Sequence, residues 1–483
     1  MAEKSIKLNY VFNIVRNVLN VIFPLITAPY IARVLEPDGV GLFNFATTYA
    51  TYFSMFAALG AGMYGIREIA KERDSLEEKT RILSEITSLV FLTTCFCTVI
   101  FVLSIFLVPQ LNENYIIFLI AGFGLYLTPF RIDWFYQGIE EFGYITLRSF
   151  IIKVLSVIAL FLFVKEKDDL WIMVTLNFAS TTLNEIWNFI KLFRSGVRPY
   201  FTLHFRQHIK PMLVLFASVV AISVYTMLDT LMLGFIKDYG EVGFYNNANH
   251  IAKALLPVTT SLAAVVMPRL SYYTKTGEWD MINRLMEKSL SVVSFLSFPI
   301  AMALILVAPV FIPMFYGELF YGAILPLQIL SGVVIAIGLN NLLGIQILVG
   351  LGKDKQFLWA VLVGTFSNFF LNLTMIPALG ANGAALSSVI AESLILFVEI
   401  WLVRKYTKVK LSINKEFVLN FIVPFGFIPL FYVLDKLCHG WTLVFVFSIT
   451  GFIYYVILQY LLKNTTLKEF INNIVVKLRL KKN

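Results

Sequence analysis

Two stretches of this chain carry the same polar residues inside long apolar runs. Val40-Gly41-Leu42-Phe43-Asn44 lines up with Val242-Gly243-Phe244-Tyr245-Asn246. Asn44, Thr47, Thr48 and Thr51 then fall at the offsets of Asn246, Asn249, His250 and Lys253. The spacing i, i+3, i+4, i+7 draws each set into one stripe along a helix. Matching stripes suit a duplicated bundle around a shared polar cavity, a common transporter plan. They differ in charge: Thr48 and Thr51 become His250 and Lys253, so one wall is polar and the other cationic.

Further ionisable groups lie within apolar runs. Asn9, Asn13, Arg16, Asn17 and Asn20 precede Pro24 at helical spacing, a face that lipid does not tolerate. Arg16 is roughly 9 Å into its run, and it either snorkels to head groups or faces a cavity. Lys253 is roughly 16 Å deep, too far for easy snorkelling. Glu392, at similar depth, is its salt-bridge partner or a proton or sodium site. Asp229 suits ion coupling or a structural hydrogen bond. Arg131 and Asp133 do not share a helix face, so each is expected to bond a neighbouring helix. Lys153 either snorkels or lines the cavity. The candidate cavity set is therefore Asn13, Arg16, Asn17, Asn20, Asn44, Arg131, Lys153, Asn246, Asn249, His250 and Lys253. The candidate ion-coupling carboxylates are Asp229, Glu392 and Asp133. Glu185 and Glu399 read as interface residues, and His204 and His208 as solvated residues of a basic loop.

The elements that must position these groups are membrane helices. Of 483 residues 58% are hydrophobic and only 14% charged, and the mean hydropathy is +0.78, more apolar surface than a soluble protein of this size hides. Fourteen spans are expected, near 10–35, 40–64, 83–109, 114–138, 143–164, 169–193, 211–236, 242–268, 286–316, 321–350, 357–377, 380–404, 416–437 and 440–462. No signal peptide is evident at the start. The net charge of +9 is a topology signal. Lys and Arg crowd residues 65–82, 191–210, 404–415 and the tail, while the alternating connections are short and nearly free of them. The positive-inside rule then makes both termini cytoplasmic and anionic lipids the contacts of the basic loops, not nucleic acid.

The expected organisation is all-α: an N-terminal six-helix half over 1–205, a parallel repeat over 206–410, and an appended hairpin with a basic tail over 411–483. Arg81-Ile82-Leu83 and Arg284-Leu285-Met286 extend the repeat. No connection is long enough to fold as a domain, so activity belongs to the bundle. Prolines 24, 29, 129, 257, 299, 309, 313 and 326 fall within spans, where each weakens the helix. Cys95 and Cys97 point to different helix faces and, with Cys438, read as apolar filler. No G-x-x-x-x-G-K-[ST] loop, H-E-x-x-H motif or Cys/His cluster occurs, so neither ATP hydrolysis nor a metal or other cofactor is expected.

Pro29-Tyr30-Ile31-Ala32-Arg33-Val34-Leu35 with Asp38-Gly39-Val40-Gly41, and Asp133-Trp134-Phe135-Tyr136-Gln137-Gly138-Ile139-Glu140, resemble the first hairpin and fourth-span ending of Wzx-type polysaccharide repeat-unit flippases. That group belongs to the superfamily of multidrug, oligosaccharidyl-lipid and polysaccharide exporters. The resemblance covers essentially the whole chain. Glu36 departs from it, since the family usually has a glycine before the proline. The resemblance implies a bacterial inner-membrane transporter, not an enzyme, that moves an undecaprenyl-pyrophosphate-linked oligosaccharide to the periplasmic leaflet. A polysaccharide polymerase and chain-length machinery are its implied partners. Arg16, Lys153 and Lys253 would then balance the pyrophosphate, and Asn and Thr would bond sugar hydroxyls. An organic-cation antiporter of the same fold would favour anionic cavity groups. A membrane glycosyltransferase would need carboxylates on a large external loop, and none is present.

Overall fold

The structure, a computed structural model, describes residues 6–260, 263–469 and 472, without the side chains of residues 6–21, 218–219, 221–226, 263–265, 268 and 271. Helices supply all the regular structure among the described residues. Eight of them are long and apolar enough to cross a membrane, with shorter apolar helices between. The chain is a polytopic helical membrane protein. It divides into two compact units, one ending at Gly243 and the other starting at Phe244.

In the first unit, α1 (Ile6–Ala58) carries both of the first two expected spans and breaks at Glu36, whose φ of 58° and ψ of 178° are not helical. That conformation is nearly exclusive to glycine, which accounts physically for the glycine usual at this point in the resembling family. The Glu36 carboxylate accepts from Lys167 Nζ at 2.7 Å, both side chains being well exposed. Such an exposed pair contributes about 0–1 kcal/mol, against a backbone strain of about 1–3 kcal/mol. Glu36→Gly is therefore expected to stabilise the protein by roughly 1 kcal/mol, the small difference between those two terms. A raised thermal unfolding midpoint is the readout, and a lowered one would mean the ion pair outweighs the strain.

The duplicated Val-Gly pairs mark close backbone approach. A methyl on Gly41 would strike the carbonyl of Tyr239, and one on Gly243 the carbonyl of Pro37. After α2 (Ala61–Lys71), α3 (Leu76–Leu107) starts at Ser75, whose hydroxyl accepts from Glu78 N at 3.2 Å. The expected fourth span is broken into Tyr115–Ala121, Phe123–Tyr126, a 3-10 turn at Thr128–Phe130 and Asp133–Gly138. There follow α4 (Phe142–Phe163), α5 (Leu170–Arg194) and α6 (Arg206–Ile236). α1 packs on α3, α4 and α6, and α4 on α5.

His208 corrects an expectation. It is buried, not solvated: Nε2 lies 2.6 Å from Glu85 Oε2 and Nδ1 2.7 Å from the Tyr64 hydroxyl. Ile69, Leu83, Trp134 and Met212 pack around this end of the unit. The basic residues of the loop are outside, but the histidine one turn into α6 faces the core.

The boundary between the units falls within α7 (Tyr239–Ala254), and the helix is interrupted before Pro257, where the ring removes a backbone donor. The second unit continues with α8 (Trp279–Tyr316), which runs unbroken through Pro299, Pro309 and Pro313. α9 (Ile324–Asn340) passes directly into a π-helix over Asn341–Val349. α10 (Asp354–Leu379), α11 (Ala381–Tyr406), α12 (Lys415–Ile422), α13 (Phe427–Asp435) and α14 (Gly440–Leu461) complete the chain order. α11 packs between α9 and α10, and α12 and α14 pack on α8.

Lipid tails are as apolar as leucine, so close packing and buried polar bonds hold such helices together. Asn420 shows how. Its Nδ2 donates to Ser291 O (3.0 Å) and Ser294 Oγ (2.9 Å) of α8, while its Oδ1 accepts from Gln459 and Asn464, each at 3.1 Å. One buried amide thus fastens the C-terminal hairpin to α8.

Candidate functional site

The densest buried charge in the first unit surrounds Arg148 of α4, which is 1% exposed. Its Nη2 donates to Asp133 Oδ1 at 2.8 Å, Nε to Asn184 Oδ1 at 2.9 Å, and Nη1 to Asn188 Oδ1. Asn188 Nδ2 in turn donates to Asp133 Oδ1 (2.9 Å) and Glu185 Oε2 (3.0 Å). The Glu185 carboxylate also faces Ile132 N at 3.4 Å, and Tyr136 donates its hydroxyl to Asn188 O at 2.6 Å. Lys191 closes the rim, 2.6 Å from Glu141 Oε2 and with its Nζ 3.6 Å from the centre of the Tyr144 ring. A planar guanidinium with its donors fixed in a fork can tie α4, α5 and the start of Asp133–Gly138 together at one point.

Beside this network is a cavity of about 230 Å³, lined by Asp133, Arg148, Lys153, Ser180, Thr181 and Asn184, among others. A second cavity of about 190 Å³ adjoins it and shares Lys153 and Ser180. Its other walls are mainly apolar: Phe23, Pro24, Ile31, Leu160, Met173 and Leu176. Lys153 stands at the junction, its ammonium 5.5 Å from the centre of the Phe23 ring. Ligand pockets for drug-sized molecules measure about 300–1,000 Å³. Each chamber here is smaller than that; the polar one sets the cations Arg148 and Lys153 beside the carboxylates Asp133 and Glu185, and the other is mainly apolar.

The remaining candidates are distributed as follows. The side chains of Asn13, Arg16, Asn17 and Asn20 lie outside the described residues. Asn44, Thr47 and Thr48 are half-buried and Thr51 exposed on α1; the Thr47 hydroxyl folds back to Phe43 O at 2.7 Å and that of Thr51 to Thr47 O at 2.7 Å. On α7, His250 and Lys253 are exposed and Asn246 and Asn249 half-buried, while Tyr245, Ala248 and Ala252 bury the opposite side. Arg131 is exposed, with Glu185 and Asp133 as the carboxylates acting on it. Asp229 is buried in the first unit, its charge acting on Tyr52. Glu392 is buried in the second unit, where it accepts from Asn340 Nδ2 at 2.6 Å. The structure thus brings Asp133 and Lys153 to one cavity, and Asp229 and Glu392 to separate interiors.

Two glutamates differ from the interface reading. Glu185 is 7% exposed and Glu399 0%, because both face helix contacts and not the membrane surface. Arg148, Asn184 and Asn188 were not among the candidates. A signal existed: Thr181, Asn184, Asn188 and Lys191 stand at i, i+3, i+7 and i+10, which places them along one helix face as in the other stripes.

Residues 6–274 match the family described as polysaccharide biosynthesis protein. A protein of Escherichia coli strain K12 named "Putative O-antigen transporter" is 28% identical over 416 residues, 83% of this chain and 97% of that protein. A Shigella dysenteriae protein of the same description is 23% identical, over 78% of this chain and 94% of its own length. Among solved structures, "Lipid II flippase MurJ, inward closed conformation" has a TM-score of 0.75 at 16% identity, covering 96% of this chain and all of that one. An inward-facing multidrug transporter of the MATE family has a TM-score of 0.56 at 13% identity, covering 81% of this chain and 97% of that one. These structures share the fold.

Proposed function

The chain belongs to the family described as polysaccharide biosynthesis protein, and from that premise we propose that it flips an undecaprenyl-pyrophosphate-linked oligosaccharide across the bacterial inner membrane. The observation that carries this reading is the pair of adjoining chambers that share Lys153. A polyprenyl pyrophosphate has an anionic head and a hydrocarbon tail, and the chambers offer one environment for each. The head must leave water to cross, and a cation at the junction offsets part of that desolvation. Arg148 is bonded to Asp133, Asn184 and Asn188 and shapes the wall, and Lys153, at the junction of the chambers, is the cation assigned to the ligand.

The polar stripes of α1 and α7 serve the sugar hydroxyls, with Lys253 supplying a second cation. Alternating access by rocking of the two six-helix halves, 1–205 and 206–410, moves the head group, and the tail beyond its first segment stays in lipid. Lys153 at the junction of the chambers and Lys253 on α7 are the cations offered to an anionic ligand, and they would not favour an organic cation.

A strain lacking this chain is expected to accumulate lipid-linked oligosaccharide in the cytoplasmic leaflet, and a plasmid copy to return it to the periplasmic one. A leaflet distribution unchanged by deletion would refute the assignment. Normal glycan export with loss of cationic dye efflux would favour the antiporter.

A further inference from the structure

The second unit buries a carboxylate that no described side chain or backbone group satisfies. Glu399 of α11 is 0% exposed, and neither Oε1 nor Oε2 has a hydrogen-bond partner among the described residues. The π-helix facing it places Gly344 opposite; any larger residue there would run into Glu399 Oε1 and the ring of Phe357. The wide turn and the missing side chain together keep room for this carboxyl. π-helical turns inside α-helices are frequent at functional sites.

Two more acceptors on the facing segment are buried and unmatched, Asn340 Oδ1 and Gln346 Oε1. Seven residues before Glu399 on the same helix, Glu392 is held by Asn340 Nδ2 at 2.6 Å. The interface of α9 and its π-helical extension with α11 is thus rich in oxygen acceptors and poor in donors.

We propose that Glu399 is a proton-binding site, carrying a proton in the packed arrangement described and exchanging it when the contact between α11 and the π-helix opens. An ionised carboxylate sealed in this place would bear a desolvation cost of several kcal/mol with nothing to offset it, whereas the acid form supplies the donor that the interface lacks. A sodium ion is a poorer fit. It needs several oxygens converging on one point, while Gly344 and the Phe357 ring bound the Glu399 carboxyl. No group of three or more His, Cys, Asp or Glu suited to a metal occurs among the described residues.

The groups that bear on its titration are few. On its own helix Glu392 acts on it electrostatically, and Arg404 and Lys405 are exposed at the C-terminal turn. α9 and the π-helix contain no titratable residue. α10 contributes Asp354 and Lys355, both exposed at its first turn. Among the described residues of these elements Glu392 is therefore the one buried charge set against it, and like charge favours keeping a proton on the pair. Coupling of that proton to transport rests on the flippase reading; binding of the proton does not.

The test uses the full-length protein in lipid vesicles and counts protons released as bulk pH rises from mildly acid to alkaline. Wild type should release one more proton per chain than Glu399→Gln, in sodium and in potassium buffers alike. Equal counts would overturn the site, and a difference that vanishes in sodium would reassign it to that ion. Infrared spectra of wild type alone provide a check free of any variant. The carbonyl band of a protonated carboxylic acid should be present at neutral pH and shift in heavy water, and its absence refutes the proposal. Neither measurement involves a glycan, so a failed export assay leaves this result standing on its own.

Discussion

Arg148→Ala is expected to leave little folded protein in the membrane. The guanidinium is buried and bonded to Asp133, Asn184 and Asn188, and removing it takes the ion-pair cation from the Asp133 carboxylate and one donor from each of two amide oxygens. Breaking a buried charge pair from one side costs about 3–5 kcal/mol, a large share of the 5–15 kcal/mol that typically separates folded from unfolded domains. Monodisperse yield in detergent and the thermal midpoint of what remains are the measures. Arg148→Lys should recover only part of the loss, because an ammonium on a flexible stem does not span three fixed acceptors. The combination of Arg148→Met with Asp133→Asn should be more stable than Arg148→Ala, since no unbalanced charge is left. If the combination is no better, stranded charge is not the cause.

Lys153→Ala is expected to lower transport and to leave folding intact. Lys153 is half-buried at the junction of two cavities, so truncation enlarges an existing space instead of breaking a packed core. A hydrogen bond to a charged group is worth about 1.5–3 kcal/mol, which corresponds to roughly a 10- to 100-fold loss in the initial rate of lipid-linked glycan export. The rate is compared in the complemented deletion strain at matched protein level in the membrane. Lys153→Arg should keep most of it, because the cation stays where the proposed head group would pass. An unchanged rate for Lys153→Ala would remove this residue from the pathway and the adjoining chambers from the proposed function with it.

The two residues illustrate how unevenly a chain of this kind reveals itself. Lys153 stood out because a cation within an apolar run has few explanations. Arg148, five residues earlier, escaped notice although its partners Asn184 and Asn188 are one turn apart on α5. A stripe declares which face of a helix is polar but not what that face meets. His208 and Glu399 show the same limit from opposite directions. The histidine lies among basic loop residues yet is buried against Glu85 and Tyr64. The glutamate lies one turn before Arg404 yet is sealed against Gly344.

Glu36 is the converse case. Its position before Pro37 already marked it as unusual, and the backbone there has the positive φ that explains why glycine is the common choice.

Membrane insertion and helix class were determined by the sequence alone, since hydropathy is a one-dimensional signal that lipid enforces span by span. Which carboxylate meets a guanidinium and which meets nothing was decided only by tertiary structure. Burial of an ionisable group depends on which helix lies opposite and at what rotation. Between lipid-embedded helices those choices rest on close packing and buried polar bonds rather than on a hydrophobic pattern that could be read in advance.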